Sequence, residues 1–530
     1  MKHFNVTFRP DGRQVSIHAG ATLIEAAGQA GIILNSICGG KGICRKCLVS
    51  IGADAEQVLA CQYRIQSDVT VTIPQQSRFF EQKILAYGIE SEAIGPPDIF
   101  KKYLKIASSD EIFGLAVDIG TTTVVAKLID MTDVSCLATE SALNPQTRFG
   151  DDCISRISYA ESDEKLAELQ KVIIDCINEL TAKVCRASSI DRNRIYEMCV
   201  VGNTTMNHIF LKLPVKQLGQ APYKAFSVDA RDIPGEELAV QINPAGNIHT
   251  VENIAGFVGS DITAAAFAAN IDSAEEATLL VDIGTNGEIV LAAKDKLYAA
   301  SCAAGPALEG AQISCGSRAQ QGAIEAVVIN GGDIDLDVIG GGRPRSICGS
   351  GLIDAVAVLL NLGIVDKSGR FVRAGRLLKK LPAKILSRIT EQAGQPAFCL
   401  FEATGSGQRK LLLTQKDIRE VQLAKAAIRA GIKLLQKKTG LEDSDIKHVF
   451  LAGAFGNYIR KESAIRIGLL PDIPAERIVF IGNAAASGAQ MLLPNSRARA
   501  LAKDLARKIE YIEIAKERDF QAVFAESMQF

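Results

Sequence analysis

The feature that most restricts the fold is a segment that occurs twice. Gly114-Leu115-Ala116-Val117-Asp118-Ile119-Gly120-Thr121-Thr122-Thr123 is matched by Thr278-Leu279-Leu280-Val281-Asp282-Ile283-Gly284-Thr285-Asn286-Gly287-Glu288. Each copy is an apolar strand, an aspartate, a tight turn through glycine, and a second strand. The two aspartates stand 164 positions apart, which points to two similar halves rather than a solenoid of short repeats. The chemistry of the turn follows from its residues. Gly120 and Gly284 let backbone come close to an anion. Successive N–H groups and the side chains of Thr121, Thr122, Thr123, Thr285 and Asn286 can hydrogen-bond phosphate oxygens. An aspartate at the strand end repels phosphate, but it suits Mg²⁺ through water, or the orienting of a nucleophilic water. Asp118 and Asp282 could exchange these two roles. One such turn is also an ordinary hairpin; two in register point to a cleft. P-loop and dinucleotide-binding signatures are absent from the chain.

A second constraint lies in four cysteines near the N-terminus. Cys38, Cys44 and Cys47 are spaced C-x5-C-x2-C on a glycine-rich run, and Cys61 follows. Three thiolates on one loop plus one from the next segment suit two irons bridged by two sulfides. The glycines let N–H groups turn toward the cluster sulfurs. Zinc would favour two C-x2-C pairs, and there is one. Around the loop, Phe4 to Phe8 alternate, Pro10-Asp11-Gly12-Arg13 turns, and Gln14 to His18 return, so a hairpin is expected. Thr22 and Glu25 form a capping box that opens a helix ended by Gly31. Val69 to Ile73 reads as a closing strand.

Composition excludes several function classes. A length of 530 residues predicts two to four domains. The net charge of −1 offers no basic field for nucleic acid. Met1 to Val6 alternates like a strand and lacks the apolar core of a signal peptide. No run of apolar residues is long enough to span a membrane. Thirteen cysteines, most of them inside apolar runs, fit reduced thiols in a cytoplasmic protein with one metal site. Residues 77–111 include Gly95-Pro96-Pro97 and Lys101-Lys102-Tyr103-Leu104-Lys105 and lack sustained alternation. They read as a tether of moderate stiffness, with room for an amphipathic helix near Phe79 to Tyr87. Leu166 to Val184 and Asp417 to Lys437 have the spacing of amphipathic core helices. Ala498 to Lys508 is a basic helix, either a solvated face or a surface for an acidic partner.

These residues carry two resemblances. Residues 1–76 resemble the β-grasp 2Fe–2S ferredoxins, although the segment between Cys47 and Cys61 is shorter than usual. Residues 112–497 resemble the ATPase superfamily that joins acetate and sugar kinases, heat-shock chaperone ATPases and actin. The two Asp-Gly turns match its phosphate 1 and phosphate 2 loops, with Asn286 and Glu288 where phosphate 2 usually has glycine. Gly259-Ser260-Asp261-Ile262-Thr263-Ala264-Ala265-Ala266-Phe267-Ala268 resembles the first connecting helix. Leu451-Ala452-Gly453-Ala454-Phe455-Gly456-Asn457 resembles the adenosine motif, and Gly482-Asn483-Ala484-Ala485-Ala486-Ser487-Gly488-Ala489 the second connecting helix. All five come in the family order. The implied architecture is an α+β β-grasp domain (1–76), a linker (77–111), and an α/β two-lobed actin-like, ribonuclease H-like ATPase. Its lobes would be 112–269 and 270–530, with C-terminal helices returning toward the first. The implied cofactors are a 2Fe–2S cluster on Cys38, Cys44, Cys47 and Cys61, and ATP with Mg²⁺. Asp118 and Asp282 would be catalytic. Gly120, Thr121, Thr122, Thr123, Gly284, Thr285, Asn286, Glu288, Gly453, Phe455 and Gly456 would bind nucleotide.

Together with Val201-Gly202-Asn203-Thr204-Thr205-Met206 and Ile347-Cys348-Gly349-Ser350-Gly351-Leu352, the two modules look like the reductive activators of corrinoid proteins. That resemblance implies ATP-dependent, one-electron reduction of a partner's Co(II) corrinoid to Co(I), fed by a low-potential donor such as a ferredoxin or flavodoxin. A homodimer is left open. Plant-type clusters sit near −400 mV, and a cobalt couple lying ~100–200 mV lower would cost about 2–5 kcal/mol per electron. ATP could cover that gap or release a tight complex. Two other readings stand: an ATPase activator of a 2-hydroxyacyl-CoA dehydratase, and a redox-regulated small-molecule kinase. Cys302, Cys315 and Cys348 read as buried structural thiols. His208 reads as a packed histidine rather than a cobalt ligand. Asn203, Thr204 and Thr205 face either phosphate or a partner.

Overall fold

The computed structural model describes residues 2–9, 12–30, 32, 34, 47–52, 56–74, 94–377, 380–402, 410–453 and 459–530. Strands β1 (His3–Arg9) and β2 (Arg13–His18) form the expected antiparallel hairpin. Helix α1 (Leu23–Gln29) starts at the Thr22–Glu25 box: the Thr22 N–H donates to Glu25 Oε2 at 2.6 Å and the Glu25 N–H to Thr22 Oγ1 at 3.3 Å. It buries Leu23, Ala26 and Ala27 among Phe8, Ile17, Val49 and Val71. Strands β3 (Leu48–Ile51), β4 (Glu56–Leu59) and β5 (Val69–Thr72) complete a sheet ordered β2-β1-β5-β3-β4, with β1 and β5 parallel. Sequence pattern missed the β3–β4 hairpin, because four residues per strand are too few to show period-two alternation. This domain touches the rest of the chain where His3 Nε2 hydrogen-bonds Asp337 Oδ1 at 2.9 Å.

The expected tether is partly fixed in place. The Asp98 and Ile99 N–H groups donate to the Pro494 carbonyl, Asn495 Nδ2 donates to the Gly95 and Pro96 carbonyls, and Ile99 and Tyr103 are buried. Prolines and lysines set the reading toward a free linker, yet apolar Ile99 and Tyr103 at spacing four seal it onto the ATPase. The helix expected near Phe79 to Tyr87 lies outside the described residues.

The first lobe is built on β6 (Phe113–Ile119), β7 (Thr123–Asp130) and β8 (Cys136–Leu143), an antiparallel meander. Helix α2 (Cys153–Tyr159) and the long α3 (Asp163–Ser188) follow. Then come β9 (Ile195–Gly202), α4 (Thr204–Phe210), β10 (Arg231–Pro234), β11 (Asn247–Thr250) and α5 (Ser260–Ala268). The sheet order is β10-β11-β9-β6-β7-β8. Strand β9 is buried at every position, as a strand covered on both faces requires. Edge strand β8 alternates and is half exposed.

The second lobe repeats this plan with β12 (Thr278–Ile283), β13 (Gly287–Ala293) and β14 (Lys296–Cys302). Inserted after them are a small sheet of β15 (Ala323–Asn330), β16 (Asp333–Val338) and β17 (Ser346–Ile347), helix α6 (Gly349–Asn361), and a second small sheet of β18 (Ile389–Gln392), β19 (Gln395–Phe401) and β20 (Leu411–Thr414). Helix α7 (Gln415–Thr439), β21 (His448–Ala452), β22 (Ile478–Gly482), α8 (Ala484–Leu492), α9 (Ser496–Lys508) and β23 (Ile509–Tyr511) close the chain's main elements. The order β22-β21-β12-β13-β14 superimposes in kind on β11-β9-β6-β7-β8: β6 pairs parallel with β9, and β12 parallel with β21. The repeat seen in sequence is thus a repeat of sheet topology. Helices α3 and α7 carry their apolar stripes into the cores of the two lobes, as their periodicity requires.

The two lobes meet where α5 crosses α8. A β-carbon on Gly488 would stand 2.1 Å from the Ala264 carbonyl oxygen, so the crossing is backbone against backbone. Alanines 264, 265, 266, 485 and 489 line it, all buried. Gly488→Val must therefore push the helices apart. A loss of about 1–3 kcal/mol or more is expected, read as a lower urea midpoint with an unchanged slope.

Candidate active site

The crossing brings four acids to one cleft. Asp118 ends β6 and Asp282 ends β12, the two topologically equivalent positions. Glu288 lies on β13 beside Asp282, its register partner. Asp261 is in the first turn of α5, where its Oδ1 accepts the Ile262 N–H at 2.8 Å. Asp118 Oδ2 accepts from Asn483 Nδ2 at 2.8 Å, while Asn483 Oδ1 caps α8 by accepting the Ala486 N–H. Neither Asp261 nor Asn483 was assigned a role from sequence alone, although both sit in the connecting-helix phrases. An acid and an amide at the N-terminal ends of two small-residue helices was the available signal.

All four acids hold protons more tightly than usual, and in Asp261, Asp282 and Glu288 the charge of neighbouring acids contributes. Burial is the main cause for each. Asp118 is pushed up to about 6, held back by the Asn483 hydrogen bond and the Lys127 charge. Asp282 rises to about 7, with the Asp118 charge adding to burial. Asp261 rises to about 8, from burial and then the charges of Asp118 and Asp282. Glu288 is pushed well above the usual carboxylate range by burial and by Asp261 and Asp282. Among the described residues no three acids stand close enough to cage a metal directly, so these hard carboxylate oxygens suit Mg²⁺ held by one or two of them and otherwise by water.

The two turns flank this cluster. In the first, the Gly120 N–H donates to the Thr123 carbonyl at 3.0 Å, and a β-carbon on Gly120 would meet that oxygen at 2.6 Å. In the second, the Gly284 N–H donates to the Asn286 carbonyl at 2.9 Å, and Thr285 Oγ1 donates to Glu309 Oε1 at 2.5 Å. Gly453 has φ +92, and a β-carbon there would stand 2.5 Å from Asp282 Oδ1. Its glycine is thus required both by the turn and by the aspartate. Phe455 and Gly456 lie outside the described residues.

In the N-terminal domain, Cys47 and Cys61 are buried with their sulfurs 3.3 Å apart. Metal–thiolate bonds of ~2.3 Å hold two thiolates of one tetrahedral ion within about 4 Å of each other, so the pair fits one iron of a cluster. Cys38 and Cys44 lie outside the described residues. The other thiols are placed differently. Cys302, Cys315 and Cys348 are all pushed up by burial, Cys315 to about 12. Among the described residues, no group of three potential ligands could hold a metal. His208 is fully buried: its Nδ1 bonds the Thr204 carbonyl at 2.8 Å, and Nε2 accepts the Phe226 N–H at 3.2 Å. Burial lowers it to about 4. Asn203 faces the first turn, with Nδ2 donating to Thr121 Oγ1 at 2.9 Å, while Thr204 and Thr205 are buried. The basic C-terminal helix is not wholly solvated: Arg499 Nη2 donates to buried Glu197 Oε2 at 3.0 Å.

A β-grasp domain with paired buried thiols, placed ahead of a two-lobed, actin-like fold with an acid-lined cleft, defines the class as an iron–sulfur ATPase. Comparison with known proteins agrees along the whole chain. Residues 4–76 match the 2Fe–2S iron–sulfur cluster binding domain, residues 113–274 the RACo middle region, and residues 276–530 the C-terminal ASKHA domain of RACo. The chain belongs to the RACo family. It is 34% identical to the corrinoid activation enzyme RamQ of Eubacterium limosum, across 98% of this chain and 97% of that one. It is 27% identical to the [Co(II) methylated amine-specific corrinoid protein] reductase of Methanosarcina barkeri, across 76% of this chain and 72% of that one. The solved structure of a reductive activator for corrinoid, iron–sulfur protein superimposes with a TM-score of 0.72 at 32% identity, covering 99% of this chain and 98% of that one.

The raised acids make stability depend on pH. Carboxylates of the unfolded chain titrate near ~4, so between about 4 and about 8 the folded cleft binds more protons than the unfolded chain. Stability therefore falls as pH rises through that window. Without divalent cations, Asp261→Asn is expected to melt above the parent at pH 8 and close to it at pH 5. Calorimetry at the two pH values checks this; equal differences at both would contradict it.

Proposed function

We propose that this chain is an ATP-dependent reductive activator of a corrinoid protein. Its end-to-end similarity to the corrinoid activation enzyme RamQ carries the reading. The cluster is held by Cys38, Cys44, Cys47 and Cys61 and, when bound, supplies the single electron that converts the partner's Co(II) to Co(I). Asp118 and Asp282 hold Mg²⁺ and orient the attacking water, with Glu288 beside them. Gly120, Thr121, Thr122 and Thr123 of the first turn, and Gly284, Thr285 and Asn286 of the second, receive the phosphates. Gly453, Phe455 and Gly456 border the nucleoside. The functional units are 1–76 for the electron donor, 77–111 for the connection, and 112–269 and 270–530 for the lobes. Nucleotide acts through closure of the cleft, a bistable hinge whose closed state bound γ-phosphate selects.

The electron reaches the chain from a low-potential ferredoxin or flavodoxin, in the cytoplasm, and a homodimer is compatible with this scheme. No described helix is long and apolar enough to cross a membrane. A second cluster, as in the dehydratase reading, would need ligands such as Cys302, Cys315 and Cys348, but among the described residues no group of three potential ligands could hold a metal.

Anaerobic spectroscopy tests the reading. Reduced protein is mixed with a Co(II) corrinoid protein of a methyltransferase system, and the Co(I) band is followed with and without Mg·ATP. Growth of the band only with ATP, and its loss in Cys44→Ala and in Asp282→Asn proteins, is expected. Corrinoid that stays Co(II) across several such partners, while ATP is consumed, would overturn the assignment of partner.

A further inference from the structure

Asn144, just after β8, and Arg156 of α2 grip the first turn from behind. Asn144 Nδ2 donates to the Gly120 carbonyl at 2.8 Å. Arg156 Nη2 donates to the Thr121 carbonyl at 2.5 Å. The Asn144 N–H donates to the Thr122 carbonyl at 2.8 Å. Three successive carbonyls of the turn are thus held on one side by two residues that are themselves fully buried. In a trans peptide the C=O and the next N–H point in opposite directions. Holding the Gly120 and Thr121 carbonyls therefore directs the Thr121 and Thr122 N–H groups away from the grip. Among the described residues, neither of these N–H groups has a hydrogen-bond partner, and both threonines are partly exposed, so the two donors are open to a ligand.

Arg156 adds a second observation. Its remaining donors go to neutral acceptors: Nε to the Gly150 carbonyl at 2.9 Å, and Nη1 to Gln146 Oε1 at 3.2 Å and Met206 Sδ at 3.1 Å. No carboxylate among the described residues forms an ion pair with it. Burial opposes the charged form of Arg156, and the charges of Asp152 and Asp151 favour it without forming an ion pair; a buried guanidinium is costly, and an anion seated on the turn would offset that cost.

We propose that Arg156 and Asn144 are positioning residues for the phosphate-binding turn. They fix its carbonyls so that the Thr121 and Thr122 N–H groups are donors in waiting for phosphate oxygens, and the Arg156 charge favours the anion from behind. This rests on the reading that the turn receives nucleotide phosphate. The sequence alone gave no hint of it, because Asn144 and Arg156 lie outside every motif and reach the turn only through the fold.

Calorimetric binding of ATP, ADP and adenosine to the full-length protein with Mg²⁺ tests the proposal. Three variants are compared with the parent. Arg156→Lys keeps the charge but loses the fork, and Arg156→Met loses both. Asn144→Ser keeps a cap acceptor for the Gln146 N–H but loses the donor to Gly120. ATP and ADP affinity are expected to fall about tenfold or more for Arg156→Met and Asn144→Ser, and less for Arg156→Lys, with adenosine unchanged in all three. Should Arg156→Met fail to fold, Asn144→Ser carries the same test. Unchanged ATP affinity in the folded variants would overturn the proposal, and so would an equal loss for adenosine, which would mark a merely structural role. A parent protein that binds adenosine but neither ATP nor ADP, or none of the three, would overturn the nucleotide reading and this inference with it.

Discussion

Everything in the ATPase depends on the close crossing of α5 and α8. Small residues there let two helix backbones meet, with Gly488 against the Ala264 carbonyl. The crossing joins two lobes that would otherwise share little. It also aims both helix N-termini into the cleft, so that Asp261 and Asn483 arrive between Asp118 and Asp282. A larger side chain at the crossing would separate the lobes and the acids together. The packing constraint and the chemical constraint are the same constraint.

The cleft is electrostatically divided. One part gathers Asp118 and Asp261 from the first lobe and Asp282 and Glu288 from the second, all raised by burial, and Asp261, Asp282 and Glu288 raised further by the charge of neighbouring acids. The other carries the first turn, with Arg156 behind it. Without ligands both parts are unfavourable: like charges in one, and in the other a buried guanidinium that bonds only neutral acceptors. A magnesium nucleotide brings the two missing charges at once, metal to the acids and phosphate to the turn. Such a site is held ready by the surrounding fold at a cost in stability, as functional sites commonly are.

Linking a small electron-carrying domain to this cleft needs a connection that is both loose and anchored. Residues 94–103 dock on the loop that joins α8 to α9, through Asp98, Ile99 and Asn495. Tyr103 Oη donates to buried Glu197 at 2.7 Å, and Arg499 of α9 bonds the same carboxylate. The anchor therefore sits next to the hinge rather than out on one lobe.

Much of this was legible in the residues themselves. Local rules of turn chemistry and helix capping located the β1–β2 hairpin and α1. The repeated strand–Asp–Gly turn announced two equivalent halves, and the sheet order of the two lobes is that repeat in three dimensions. The cysteine spacing announced a metal cage, because ligands on one short loop are local in sequence. Other features were not legible, for one shared reason: they depend on contacts between segments far apart in the chain. The short β3–β4 hairpin needs its neighbours in the sheet to exist. The second half of the linker looked free until Ile99 and Tyr103 found an apolar surface. Asp261 became part of the acid cluster, and Asn144 and Arg156 took hold of the turn, only once the lobes had closed around them. The sequence by itself determined the two modules and the residue types each chemistry needs. Tertiary structure alone decided which of those residues share a site, since hydrogen bonds and charge repulsion act over a few ångströms of space, whatever the distance along the chain.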